Sequence, residues 1–377
     1  MKFLIVRGSL SELAIALVMT LVMTTTTAAQ SQPATAFQID RVATGLEHPW
    51  SIAFLPDGRM LLTERVGRLR VIDTDGQLLE QEIEDVPQAH VASQGGLMGI
   101  ALHPNHEDNG WIYLSLAYGN ARANTTRVVR GRLDGMRWVD NEVIFTAEPT
   151  RDTPVHYGGR IAFMGDDTLL ITLGDGFDYR EDAQRLDSHT GTIVRVHDDG
   201  RVPADNPFIG REEARPEIFS YGHRNPQGIV VDPDTGRIWS HEHGPRGGDE
   251  LNLVRPGENY GWPVATHGID YSGARITPYT SRPGMIDPLI DWTPSIAPSG
   301  MSRYHGDLFP EWEGDLLVTG LVSRAIHRVR IDGESAEEVE ILLEDLDRRL
   351  RDVQVGPDGA LYILTDEKEG EVLRLRP

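Results

Sequence analysis

Two histidines flanking a carboxylate, then two more carboxylates after a glycine-rich turn, make "SHEHGPRGGDE" (240–250) the first stretch to question for chemistry. On a strand, His241 and His243 share a face and could reach one metal ion. A zinc site needs a third protein ligand and tetrahedral geometry, and the chain offers neither cysteine nor a downstream histidine pair. The composition suits either side-chain ligation or a loop that binds through its backbone. Asp232, Asp234 and Asp249 read as turn or solvent carboxylates. A second set is scattered along the chain: Gln94 in "SQGGLMGIALHP", His156 in "PVHYGGRIAF", Arg224 and Asn225 in "YGHRNPQGIVV", Arg349 and Arg351 in "RRLRDVQVGPDG". Each alone is ordinary, since a lone histidine is usually a surface or satisfied core residue, and Arg-Asn before proline is turn chemistry. Brought together, they supply a base, several cations and amides, which suits an anionic, polycarboxylate ligand.

Something must bring them together. Short strand-like runs, each ending in a turn and followed by a second run, begin near Trp50, Gly96, Gly159, Gly228, Gly300 and Arg351, at intervals of 46 to 72 residues. Apolar–polar alternation punctuated by PDG, PDTG and IDG turns reads as antiparallel hairpins. The segment 335–350 is the nearest approach to helical periodicity, and it reads equally as strand plus turn. Six units that cannot bury both faces alone predict an all-β fold, a six-bladed β-propeller. Irregular spacing weighs against a β-helix, and the absence of a mid-chain linker weighs against paired β-sandwiches. Longer insertions at 104–150, 176–222 and 255–297 are expected as loops on the blades. In a propeller the residues entering each innermost strand line one mouth of the central channel, where every member of the scattered set would fall.

Bulk properties bound the setting. Residues 1–29 carry Lys2 and Arg7, an apolar run from Leu13 to Met23, and small residues at Thr27 and Ala29. That order predicts a secretory signal peptide, with an uncleaved membrane anchor as the alternative, leaving residues 36–377 as one propeller domain. The expectation is a soluble, exported protein, periplasmic or secreted and not membrane-embedded. The absence of cysteine removes disulfides, thiolate metal sites and cysteine catalysis. A formal charge of −22 argues against nucleic-acid partners. Lys2 and Lys368 are the only lysines, so fixed positive charge in a site must come from arginine.

Taken in order, "QGGLMGIALHP", "HYGGRIAF", "GHRNPQG", "GPRGGDELNLVRPGENYGWP" and "RLRDVQVGPDGALYILTDE" resemble the soluble quinoprotein aldose sugar dehydrogenases. This is the glucose/sorbosone dehydrogenase family, whose cofactor is pyrroloquinoline quinone (PQQ), and the resemblance runs from about residue 45 to the C-terminus. It implies a six-bladed propeller that oxidises aldoses at C1 to lactones, with PQQ across the channel mouth. Gln94, Arg224, Asn225, Arg349 and Arg351 would hold the cofactor, and Tyr271 in "GIDYSG" would add a contact. His156 would be the general base, Asp175 its orienting carboxylate, and Arg224 would stabilise the developing oxyanion. The backbone carbonyls of Gly244 and Pro245 would hold a calcium ion at the cofactor, and Glu250 with the Tyr260 carbonyl a further calcium. Reduced cofactor would pass electrons to a quinone or small redox protein. The family's fifth-unit lysine contact is absent: Ser323 aligns there, with Arg324 beside it, and one of these is expected at the cofactor.

Two other classes share the architecture. A calcium-dependent propeller lactonase would hold its metal with carboxylates and asparagines on the axis, without the arginine-rich entry set. A non-enzymatic exported propeller would need no ordered His, Arg and Gln constellation.

Overall fold

The computed structural model describes residues 37–377; the signal segment read at 1–29 lies outside them. Six antiparallel sheets follow one another, and their first strands are Pro49–Phe54, Leu97–Leu102, Ile161–Phe163, Pro226–Val231, Pro298–Arg303 and Leu350–Val355. Each of these first strands neighbours the next around a central axis, giving the six-bladed propeller. The ring closes by pairing the first strand of the described chain, Gln38–Leu46, with the last, Gly370–Arg376, in the register Gln38↔Arg376 to Leu46↔Gly370. Sheet six is thus built from both ends of the domain, which closes the ring between the last blade and the first.

The hydrophobic pattern explains why the ring forms. Second strands are apolar at successive residues because both faces of a blade are covered. In Thr168–Thr172, Leu169 and Ile171 pack toward blade 2 with Tyr113, Val128 and Phe145, while Leu170 packs toward blade 4 with Ile229 and Ile238. In Met60–Glu64, Leu61 faces blade 2 and Leu62 faces blade 6. One such cluster fills each of the six gaps between blades, so no blade has a core of its own. Each fully buried Leu or Ile contributes about 1.5–3 kcal/mol, available only once the neighbouring blade is present.

Two expectations about organisation change. The stretch 104–150 carries three of blade 2's four strands, Ile112–Asn120, Ala123–Asp134 and Arg137–Thr146, and 176–222 carries the outer strands Thr192–His197 and Ile218–Tyr221 of blade 3. Only 255–297 is mostly loop, with Ile290–Trp292 as its single strand. The outermost strand of blade 2, Arg137–Thr146, is exposed and charged along its middle, which hides it from a hydrophobicity reading. Thr192–His197 and Ile218–Tyr221 of blade 3 are instead apolar and buried, and the long connection between them masks their pairing. The segment 335–350 resolves as strand Ser335–Leu342 followed by a 3-10 turn, Glu344–Leu346. Among the described residues, no helix is long and apolar enough to cross a membrane.

Candidate active site

At one mouth of the axis lies a cavity of about 210 Å³ lined by, among others, Gln94, Asn225, Arg349 and Arg351. Arg160, buried just before the first strand of blade 3, lies against two of the lining residues, Trp50 and Gln227. Arg160 Nε donates to the Gln227 carbonyl at 2.7 Å, Nη1 to Asp352 Oδ1 at 2.9 Å and Nη2 to the Ser299 carbonyl at 2.7 Å. Its guanidinium also lies 4.1 Å from the Trp50 ring centroid. One side chain therefore ties blades 4, 5 and 6 together against the Trp50 ring of blade 1.

The amides are oriented by backbone. Gln94 Oε1 accepts the His156 N–H at 2.9 Å, and Asn225 Oδ1 accepts the Gly158 N–H at 3.1 Å. Those contacts assign oxygen and nitrogen, so each NH₂ group is left to donate into the cavity. Arg349 Nη1 donates to the Leu321 carbonyl at 3.1 Å, and Arg351 Nη2 pairs with Asp366 at 2.6 Å, while Arg351 Nε is buried with no partner. The wall is rich in donors and cations, the chemistry of a seat for an acceptor-rich anion.

Beside it sits the histidine. His156, only 5% exposed, has a left-handed φ of 53° and is held by Arg151, whose Nη2 donates to its carbonyl at 2.8 Å. Its Nδ1 lies 2.7 Å from Asp175 Oδ1, which also accepts the Phe177 N–H at 2.8 Å; Asp175 Oδ2 accepts Trp262 Nε1–H at 2.8 Å. A carboxylate at Nδ1 fixes the proton there and leaves the Nε2 lone pair facing outward. Burial would raise the Asp175 pKa, yet the His156 hydrogen bond and charge, with Arg224, hold it below the ordinary carboxylate value. Burial lowers the His156 pKa by more than Asp175 restores, so the imidazole is neutral and able to act as a base. The local backbone depends on glycine, since a Cβ on Gly174 would sit 2.1 Å from the His156 carbonyl.

An outer pocket of about 270 Å³ adjoins this histidine, lined by Phe177, Arg224, Pro245, Trp262 and Tyr271, among others. Phe177 stacks on Tyr271 at 6.2 Å and meets the His156 ring edge-on at 5.4 Å, and these two aromatics are 44% and 59% exposed. Arg224 Nη1 donates to the carbonyls of His243 at 3.0 Å and Gly244 at 2.6 Å. The Gly244 carbonyl expected to face calcium therefore takes a guanidinium here, and calcium at Gly244 and Pro245 fits only with Arg224 turned away.

At Glu250 the donors suit a hard cation better. Glu250 faces Glu242 across paired strands; Asn252 Nδ2 reaches Glu242 at 3.4 Å and Glu250 at 3.2 Å, and Asn252 Oδ1 is buried without a partner. Burial, with Glu242 and Asp291 nearby, raises the Glu250 pKa well above normal, the signature of clustered carboxylates lacking a counter-charge. Tyr260 stacks on His223 at 4.6 Å, and His223 in turn bonds Glu242 at 2.9 Å. Among the described residues no three His, Asp or Glu side chains converge as a metal site, so a cation here would also use amide or backbone oxygens. His243 lines the cavity and is kept neutral by burial, its Nε2 bonded to the Pro298 carbonyl at 2.7 Å; His241 is fully buried with both ring nitrogens unpartnered.

The structure thus gathers Gln94, His156, Asp175, Arg224, Asn225, Tyr271, Arg349 and Arg351 at one mouth. It does not bring Ser323 or Arg324 into either pocket wall. Ser323 Oγ turns to His327 Nε2 at 2.9 Å, which is backed by Glu338 at 2.8 Å, and Arg324 pairs outward with Asp347. Partners inside blade 5 set both orientations, and neither residue fills the fifth-blade contact expected of it. Arg65, Gln227, Asp366, Phe177 and Trp262 also line the pockets. Sequence reading passed over Arg65 because it follows a strand instead of preceding one.

A propeller whose mouth pairs an anion seat with a carboxylate-oriented neutral base is an enzyme scaffold. The chain belongs to the glucose/sorbosone dehydrogenase family, whose model matches residues 46–374. It is 42% identical to the aldose sugar dehydrogenase YliI of Escherichia coli, over 88% of this chain and 91% of that protein. It is 26% identical to quinoprotein glucose dehydrogenase B of Acinetobacter calcoaceticus, covering 86% and 84%. The PQQ-bound aldose sugar dehydrogenase of Streptomyces coelicolor superimposes with a TM-score of 0.74 at 30% identity, covering 92% of this chain and 99% of that one.

Proposed function

We propose that this protein oxidises aldose sugars at C1 to the corresponding lactones, with PQQ seated in the mouth cavity and His156 as general base. The observation that carries the reading is the His156–Asp175 pair opening beside a donor-lined cavity. When bound, PQQ supplies a hydride acceptor that no side chain provides. Gln94, Asn225, Arg349 and Arg351 would hold its carboxylates and quinone oxygens. His156 Nε2 would take the proton of the anomeric hydroxyl, and Asp175 would stabilise the imidazolium that results. Arg224 would place positive charge where the oxyanion develops. The exposed Phe177–Tyr271 pair offers an apolar face to a pyranose.

Calcium belongs to the same proposal: at Glu250 with Asn252 and Tyr260 as the structural ion, and at Gly244 and Pro245 only if Arg224 swings off the Gly244 carbonyl. Export under the direction of residues 1–29, and electron delivery to a quinone or small redox protein, complete the reading. N-terminal sequencing of mature protein from the cell envelope or medium tests the export.

The deciding experiment adds PQQ and calcium to purified protein with glucose and an artificial dye acceptor; dye reduction is expected only with PQQ. His156→Ala should retain PQQ binding yet lose turnover by about 10³-fold or more. Wild-type-like turnover in that variant removes His156 from its role, and lactone hydrolysis with calcium alone would point to a lactonase instead.

A further inference from the structure

Arg65 stands immediately after the blade 1 strand Met60–Glu64, and it lines the mouth cavity. Its backbone is fixed on both sides: its N–H donates to the His48 carbonyl at 3.0 Å, and its own carbonyl accepts the Leu97 N–H at 3.2 Å. A Cβ on Gly96 would lie 1.8 Å from that carbonyl. Gly96, two residues after Gln94, is therefore packed directly onto the Arg65 backbone, which ties the position of Arg65 to the segment that carries Gln94.

The guanidinium is not satisfied in the same way. Arg349 and Arg351 each have a protein acceptor at the cavity, whereas no hydrogen bond or ion pair to the Arg65 side chain exists among the described residues. Asp366, the single carboxylate of the cavity wall, is already committed: Oδ2 to Arg351 at 2.6 Å and Oδ1 to His48 at 3.0 Å. Three arginines thus face one carboxylate, in a protein whose formal net charge is −22. Half-burial lowers the Arg65 pKa, Asp366 partly offsets this, and Arg351 and Arg349 depress it further. A half-buried arginine beside two like charges, with its fork of donors unused, is arranged for a ligand carboxylate.

We propose that Arg65 is a cofactor-binding residue, supplying from blade 1 a cation that pairs with a carboxylate of the bound cofactor. This inference rests on the PQQ reading above. It is tested by isothermal titration calorimetry of apo-protein with PQQ, and in parallel with pyridine-2,6-dicarboxylate, a dicarboxylate without a quinone. Arg65→Gln should raise the PQQ Kd by 10- to 100-fold and weaken its salt dependence, with Arg65→Lys recovering part of the loss. The melting temperature of apo Arg65→Gln should match or exceed that of wild type, because no protein contact is removed; a structural arginine would lower it. If wild type binds PQQ and Arg65→Gln binds it equally well, the role of Arg65 is refuted while the functional reading stands. If wild type binds the dicarboxylate through Arg65 but not PQQ, the cation seat stands and the PQQ reading falls. Binding of neither ligand by wild type overturns both.

Discussion

Asp175→Asn isolates what the buried carboxylate does for His156. The carboxylate accepts three hydrogen bonds, from His156 Nδ1, the Phe177 N–H and Trp262 Nε1. An amide of the same shape has one oxygen for these donors. If its NH₂ faces Trp262, two donors collide; if it faces His156, the imidazole must flip tautomer and carry its proton on Nε2, where no base remains. The charge is lost in either case. An imidazolium and a carboxylate with charge centres about 4 Å apart attract by about 4 kcal/mol at an effective dielectric of about 20. At 1.36 kcal/mol per tenfold, that is a loss of about 10³ in turnover, before any further loss from the wrong tautomer. The assay is dye-coupled aldose oxidation by PQQ-loaded protein, with the PQQ Kd measured beside it. The expected result is a kcat lower by 10³ or more with a nearly unchanged Kd. A kcat within tenfold of wild type, with cofactor bound, would refute the assignment of Nδ1–H to Asp175 and with it the base at Nε2.

Two further outcomes follow from the buried charges. Because the folded pKa of His156 is depressed by burial, the acid limb of kcat should have its midpoint below pH 6.5, measurable as a pH–rate profile; a midpoint above 7 contradicts the geometry. His241, pushed down to about 3, takes up its proton on unfolding, so the unfolded state binds more protons and stability falls as pH drops from 6.5 toward 3, by up to roughly 5 kcal/mol; urea unfolding at pH 7 and pH 5 checks the sign. Calcium at 100 times its Kd should add about 2.7 kcal/mol and raise Tm by roughly 2 °C or more in a domain of this size. Glu250→Gln should abolish that gain, seen as coincident melts in calcium and EDTA, and an undiminished gain would move the ion elsewhere.

The amino-acid sequence determines the ring and most of the mouth. Successive apolar residues such as Leu169–Leu170–Ile171 can be buried only if both faces of a sheet are covered, and six such units require a closed array. Strand-entry positions of those units then fix where Gln94, His156, Arg224–Asn225 and Arg349–Arg351 must lie. The outer strands of blades 2 and 3 were not legible, for different reasons. Arg137–Thr146 carries a run of exposed, charged residues along its middle. Thr192–His197 and Ile218–Tyr221 are apolar and buried but are separated by a long connection with no hairpin turn between them. Side-chain direction and partnership belong to the tertiary structure. His327 and Glu338 turn Ser323 away from the mouth, Asp347 draws Arg324 outward, and Arg224 lies on the Gly244 carbonyl. Arg65 becomes a cavity cation only because Arg351 and His48, distant in the chain, have already claimed both oxygens of Asp366. Periodicity is local and is written along the chain. Which charge finds a partner depends on groups far apart in sequence, so folding alone decides it.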